Sequence, residues 1–182
     1  MIIRQTTKEL LAASLQELAQ SKSMDKITIR EITQNCQLTS TTFYNHFQDK
    51  YALLAWIYHR ELTPLYERLG KDIDWNTLIR QGIIAVQQNK QFYRNAMKNT
   101  SGQTSFQKAV SDYFIGQIHN YICKQQGINE LPEKLQFMIR FYVLGIFPFL
   151  CEWVLYHDEP PAKEFILLLH DAMPQELRPY LL

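Results

Sequence analysis

The stretch TIREITQNCQLTSTTFYNHFQDK, residues 28–50, decides how the chain is read. Thr28 followed three residues later by Glu31 is a capping-box pattern, in which the hydroxyl accepts from a first-turn amide while the carboxylate reaches back. It opens a short helix that carries Ile29, Ile32 and Cys36 inward. Gln37-Leu38 separates that helix from Thr39, where four hydroxyl residues, Thr39, Ser40, Thr41 and Thr42, begin another. Two short helices joined by a tight turn outline a helix-turn-helix. On the helical wheel Phe43 and Phe47 stack one turn apart on the packing side. Thr41, Tyr44, Asn45 and Gln48 fall on the opposite side, with Ser40 on its flank. An apolar back and a polar front are what a major-groove helix requires. Taken alone, the hydroxyl run equally fits ordinary solvated helix starts.

Upstream, Leu10, Leu11, Leu15 and Leu18 recur at helical spacing between Thr6 and Gln20, and Thr6 with Glu9 repeats the capping pattern. Residues 21–26 read as a connection. Downstream, residues 49–69 form a long helix carrying Leu53, Leu54, Ile57 and Leu65, with Pro64 expected to bend it. Further helices are expected at Trp75 to Gln88, Phe92 to Met97, about Ser105 to Gln125, Glu133 to about Tyr156, and a last one ending near Met173. A polar break at Asn99 to Thr104, Gly127 to Pro132 and His157 to Pro161 punctuate them. The fold class is therefore all-α: a three-helix head over residues 1–48 and a C-terminal helical bundle over 49–182.

Composition agrees with a globular chain and excludes several alternatives. Of 182 residues 46% are hydrophobic and 20% charged, which excludes a disordered or collagen-like chain. Cys36, Cys123 and Cys151 are too scattered for a disulfide framework or a thiolate metal site, so a reduced, cytoplasmic setting is expected. The start lacks an apolar signal core, and the greasy stretch Phe141 to Leu155, broken by Pro148 and Glu152, falls short of the roughly 20 residues that span a bilayer. Net charge is +1, with seven Lys/Arg against five Asp/Glu in residues 1–60, a weak basic excess. No Ser-His-Asp order, paired carboxylates or metal cluster stands out, so no enzyme, cofactor or metal is expected.

Tyr44-Asn45-His46-Phe47-Gln48-Asp49-Lys50, taken with Thr28 to Ile32 before it and Leu53-Leu54 after it, resembles the DNA-binding head of the TetR family of bacterial transcriptional regulators. Phe43-Tyr44, Asp49-Lys50-Tyr51 and Trp56-Ile57-Tyr58 are similar to a DhaS-like subgroup, the activators of dihydroxyacetone kinase operons. The resemblance implies that Thr28 and Arg30 hold a phosphate at a helix start, that Ser40, Thr41 and Thr42 face the groove, and that Tyr44, His46 and Lys50 contact the DNA backbone, with Thr39 and Asn45 also counted among the DNA-binding residues. Without it, His46 reads as a core histidine and Tyr44 as a half-buried packing ring. Two positions depart from the family pattern. Gln37 stands at the usual turn glycine, and Thr41 stiffens a site that is often small.

In the second part, Arg140 to Leu155 is apolar nearly all round, more than one core face needs. With Phe165, Ile166, Leu168, Leu169 and Met173 of the last helix, it points to a homodimer through about residues 133–173, as the resemblance also implies. A central helix of a monomer is the alternative. Aromatic residues make up 13% of the chain, and those between Trp75 and Trp153 are candidates to line a pocket between helices. Phe92, Tyr113, Tyr121, Phe141 and Trp153 are the candidate ligand contacts. The expected partners are an operator duplex, a second copy of the chain, and an effector that is either a small molecule or a protein.

Overall fold

A computed structural model describes residues 6–98, 106–154 and 160–182. Hydrogen-bonding side chains fix the starts of the first five α-helices. Thr6 accepts from Glu9 N at 3.3 Å ahead of α1 (Thr7–Leu18), and Thr28 completes both halves of its capping box ahead of α2 (Ile29–Asn35). Thr39 accepts from Thr42 N at 3.1 Å at α3 (Ser40–Tyr44). Asp49 accepts from Tyr51 N and Ala52 N at 2.9 and 2.8 Å at α4 (Lys50–Arg68), and Asp74 from Thr77 N at 2.7 Å at α5 (Trp75–Gln88). Each cap supplies an acceptor to amides that have no upstream carbonyl, worth about 1 kcal/mol apiece. The chain continues through α6 (Lys90–Lys98), α7 (Phe106–Gln126), α8 (Glu133–Glu152), α9 (Ala162–Asp171) and a short α10 (Arg178–Leu181). Among the described residues the named elements are all helical.

Several details differ from the sequence reading. The connection at 21–26 contains a tight helical turn, Met24–Lys26, and the four-residue α10 was not foreseen. The long helix expected over 49–69 does agree, α4 running from Lys50 to Arg68 with Pro64 inside it. The break at Asn99 to Thr104, the stretch Leu155 to Glu159 and the leader Met1 to Gln5 lie outside the described residues. α8 itself is 20 residues, so the helix containing the greasy stretch is long and apolar enough to cross a membrane by length and composition, contrary to the expectation that it falls short. Its inner face, Leu135, Ile139, Tyr142, Val143, Phe147 and Cys151, is buried within the protein.

One continuous core joins head and bundle. In the head, Leu11, Leu15, Ile32, Phe43 and Phe47 close around Leu53 and Leu54 of α4. Farther along, Tyr58 and Leu62 of the same helix enter the core of the bundle with Trp75, Leu78, Phe106 and Ile118. α7 packs on both α4 and α8, and α5 packs on α9. α4 therefore belongs to both halves, and whatever moves its lower part moves the head.

Candidate DNA-binding head and effector cavity

α3 has the two-sidedness its sequence predicts. Phe43 is wholly buried and tilts against Phe47, whose ring in turn meets Trp56 of α4 edge-on at 5.9 Å. Thr39, Ser40, Thr41, Tyr44, Asn45, His46 and Gln48 are exposed, and Thr42 is half-buried. Tyr44 is 59% exposed and His46 stands outside the core, so neither of the bland readings of these two rings holds. The hydroxyls of Thr39 and Thr42 bond to each other at 2.9 Å, leaving Ser40, Thr41 and Asn45 as the polar groups best placed to reach outward.

In the turn before α3, Gln37 adopts φ +58°. A side chain in that region crowds the following carbonyl and costs about 1–2 kcal/mol. The turn is held all the same, because Leu38 N donates to Thr33 O at 2.8 Å and closes it from both sides.

Electrostatics at the start of α2 centre on Glu31. Its carboxylate accepts from Lys22 Nζ at 2.5 Å and from both the backbone N–H and the hydroxyl of Thr28, at 2.9 and 2.8 Å. These donors hold its pKa down at about 2, the Lys22 bond contributing most. Charging is favoured in the folded state, so the stabilisation is present above the ordinary carboxylate range and disappears as pH falls from about 4.5 to about 2. Glu31→Gln is therefore expected to lower the unfolding temperature at neutral pH, with the gap to wild type closing as the pH approaches 2.5. Thermal unfolding across a pH series checks this, and a gap that stays constant refutes it. Thr28 is exposed but its hydroxyl is already engaged, which leaves the first-turn amides of Ile29 and Arg30 as the free donors of that helix start. Arg30 is exposed beside them.

Lys50 has a role the sequence does not announce. Its ammonium donates to Asp25 O at 2.8 Å and Ile27 O at 2.7 Å, tying α4 to the turn before α2. Partial burial lowers its pKa. Two of its three donors are thus spent on backbone carbonyls.

Below the head, α4, α5, α7, α8 and α9 enclose an apolar cavity. Tyr58, Leu62, Trp75, Leu78, Gly82, Phe114, Ile118, Tyr142, Phe147 and Leu169 are among its walls, and its free volume is about 40 Å³. Ligand sites commonly measure about 300–1,000 Å³, so an occupant must spread the walls. Tyr142 is anchored by donating to Leu169 O at 2.8 Å, and burial pushes its phenol pKa up to about 12. Nearby, between α4 and α7, His59 Nε2 and Tyr66 Oη are buried without a hydrogen-bond partner among the described residues.

None of the five sequence-predicted ligand contacts lines this cavity. Phe92 is buried against Tyr93, with ring centroids 5.3 Å apart. Tyr113 stacks on His59 at 3.8 Å and shares a hydrogen bond with Thr63. Tyr121 lies over Gly70, whose φ of +73° and missing Cβ admit the phenol: an added carbon there would sit 2.6 Å from its oxygen. Trp153 stacks on Phe165 at 5.0 Å and donates to Pro160 O. Phe141 points outward, 66% exposed, on the side of α8 opposite the buried Ile139 and Val143, with Lys134 and Glu152 about 20° from it around the helix. The wider aromatic set did contain real wall residues, Trp75, Phe114 and Tyr142. The aliphatic walls and Tyr58 carry no sequence signal beyond helical periodicity.

Comparison with known proteins supplies the context. Residues 10–57 match the family described as bacterial regulatory proteins, tetR family, and residues 74–175 match the one described as transcriptional regulator C-terminal region. The chain is 25% identical over 134 residues to the HTH-type dhaKLM operon transcriptional activator DhaS of Lactococcus lactis subsp. lactis (strain IL1403), spanning 65% of this chain and 72% of that protein. Among solved structures, the dihydroxyacetone kinase operon activator DhaS superposes with a TM-score of 0.58 at 19% identity, covering 92% of this chain and 96% of that one. A TetR transcriptional regulator from Streptococcus agalactiae 2603V gives 0.63 at 16% identity, covering 92% and 94%. The Thermus thermophilus repressor FadR in complex with lauroyl-CoA gives 0.63 at 17% identity, covering 91% and 92%.

Proposed function

The chain belongs to the TetR family of bacterial transcriptional regulators, and from that premise we propose that it binds an operator as a homodimer and alters that binding when an effector spreads the apolar cavity. Residues 1–48 act as the DNA-binding unit and 49–182 as the sensing and dimerising unit. The observation that carries the reading is α3, whose exposed polar face is backed by a wholly buried Phe43. Ser40, Thr41 and Asn45 read base edges, with Thr39 and Thr42 holding the start of the helix. Tyr44, His46, Arg30, the first-turn amides of Ile29 and Arg30 that follow Thr28 and the remaining donor of Lys50 contact phosphates. Two such helices must lie about 34–36 Å apart to enter successive major grooves. The exposed stripe Phe137, Phe141, Leu144 and Pro148 on α8, with Leu167 and Leu168 on α9, is the dimer seam.

Selection of bound fragments from the source genome tests this reading. Enriched sites with two inverted half-sites about one helical turn apart support it, and no enrichment at all refutes it. Given such an operator, Arg30→Ala is expected to weaken binding to every sequence alike and to reduce the salt slope by about 2, since a dimer loses two phosphate contacts at about 0.9 each. Thr41→Ala instead changes base preference at its own position. Titration at several salt concentrations separates the two, and an unchanged slope in Arg30→Ala removes the phosphate role.

A second reading, in which the effector is a protein, is favoured by the cavity's small free volume of about 40 Å³. A small-molecule screen read by thermal shift against a direct pull-down discriminates: a metabolite that raises the unfolding temperature supports the cavity, and a purified partner that binds without one supports the protein effector.

A further inference from the structure

α4 is the covalent link between head and bundle, but α6 makes a second attachment, centred on one side chain. Asn95 is half-buried, and its amide spans more than 70 residues of sequence to reach the turn between α1 and α2. Its Oδ1 accepts from Met24 N at 2.7 Å, and its Nδ2 donates to Ala19 O at 2.9 Å and Lys22 O at 2.8 Å. Ala19 caps the C-terminus of α1, where carbonyls run out of helical donors, and Met24 starts a new turn, where amides run out of acceptors. One carboxamide, with donors and acceptor on the same small group, satisfies both. Aspartate has no donors to offer the two carbonyls, and an aliphatic side chain offers neither function. One turn earlier on α6, Gln91 Nε2 donates to Gln20 O at 3.1 Å and extends the same contact.

The other sides of α6 are tied to the bundle. The Tyr93 hydroxyl donates to the Glu61 carboxylate of α4, and Arg94 Nε donates to Val154 O at 2.7 Å, just past the end of α8. A displacement of α8 or of the lower part of α4 therefore reaches the head turn through α6 as well as along α4. Lys50 grips the next residues of that turn, Asp25 and Ile27, from the α4 side. The head is held from two directions, and a rigid body held at two points cannot swing about one of them.

We infer that Asn95 is a positioning residue that fixes the angle of the head on α4 and thereby the distance between the two recognition helices of the dimer. The inference rests on the operator-binding reading above. Removing the amide leaves the head attached through α4, Lys50 and the one exposed bond from Gln91 to Gln20, and so looser about the α4 hinge. The dimer then accepts half-site spacings that the wild type rejects, while the contacts of each head with its own half-site persist.

The full-length protein tests this with operators taken from the genomic selection, in which the spacer is lengthened or shortened by one base pair. Wild type is expected to lose at least about tenfold in affinity on either change, as typical single-position defects do. Asn95→Ala is expected to lose less than about threefold, with unchanged affinity for an isolated half-site. Hydrogen exchange provides the readout that a general loss of stability would not give: the Met24 amide exchanges faster in Asn95→Ala, while the helical amides of α1 and α2 keep their protection. A variant that retains the wild-type spacing preference overturns the inference, and so does unchanged exchange at Met24. If Asn95→Ala does not fold, Asn95→Ser takes its place in the same measurements. Failure of the wild type to enrich any operator overturns the operator-binding reading instead, and Met24 exchange still decides whether Asn95 holds the turn.

Discussion

Phe141→Glu is expected to run as a monomer in size-exclusion chromatography and sedimentation at concentrations where the wild type is a dimer, with operator affinity falling at least about 100-fold. Phe141 is 66% exposed in the single chain and shares its side of α8 with Phe137, Leu144 and Pro148, at the spacing i, i+4, i+7, i+11 that forms a seam between paired helices. A monomer has no reason to present such a stripe to water. In a two-fold interface each substitution occurs twice, so the loss of about 1.5–3 kcal/mol per buried aromatic doubles to about 3–6 kcal/mol. That corresponds to about 10²–10⁴ in the dimer constant, before the two carboxylates are forced together. Operator binding follows because a monomer engages one half-site only. Since Phe141 is remote from the core of the head, the helical signal and half-site affinity are expected to survive. A variant that dimerises like wild type removes α8 from the interface.

The different fates of the sequence readings have a physical basis. Helix starts were legible because a cap is a local bargain between a side chain and amides two or three residues away: Thr6, Thr28 and Thr39 sit in the structure where their spacing to Glu9, Glu31 and Thr42 puts them. The back and front of α3 were legible for the same reason, since helical geometry over a few residues fixes which side Phe43 and Tyr44 take. The cavity was not, because its walls come from five helices and the identity of a wall residue depends on how those helices are rotated. Even so, Lys134 and Glu152, on the same line of the helix as Phe141, already mark it as outward, a signal in the sequence that the apolar richness of the segment obscured. Asn95 and Lys50 carried no signal, because their partners are backbone carbonyls and amides, which every residue has.

Phe43→Ala is expected to abolish operator binding while leaving the bundle helical and dimeric. The ring is wholly buried, meets Tyr44 edge-on at 5.7 Å and Phe47 at 5.9 Å, and is the main apolar anchor of a helix only five residues long. Truncating a buried phenylalanine costs about 3–5 kcal/mol through lost transfer energy and the cavity left behind. A five-residue helix has almost no stability of its own to set against that loss, so α3 and the turn at Gln37, already carrying a left-handed side chain, come apart first. The neighbouring position isolates function from folding. Tyr44→Ala removes a ring that is 59% exposed, so unfolding shifts by under about 1 kcal/mol, yet a backbone contact is lost from each head of the dimer. Hydrogen exchange and operator titration on the two variants give opposite patterns: lost protection in the head together with lost binding for Phe43→Ala, and kept protection with weakened binding of unchanged salt slope for Tyr44→Ala, since the phenol carries no charge. Wild-type binding by Phe43→Ala means that the polar face of α3 is not what holds the operator.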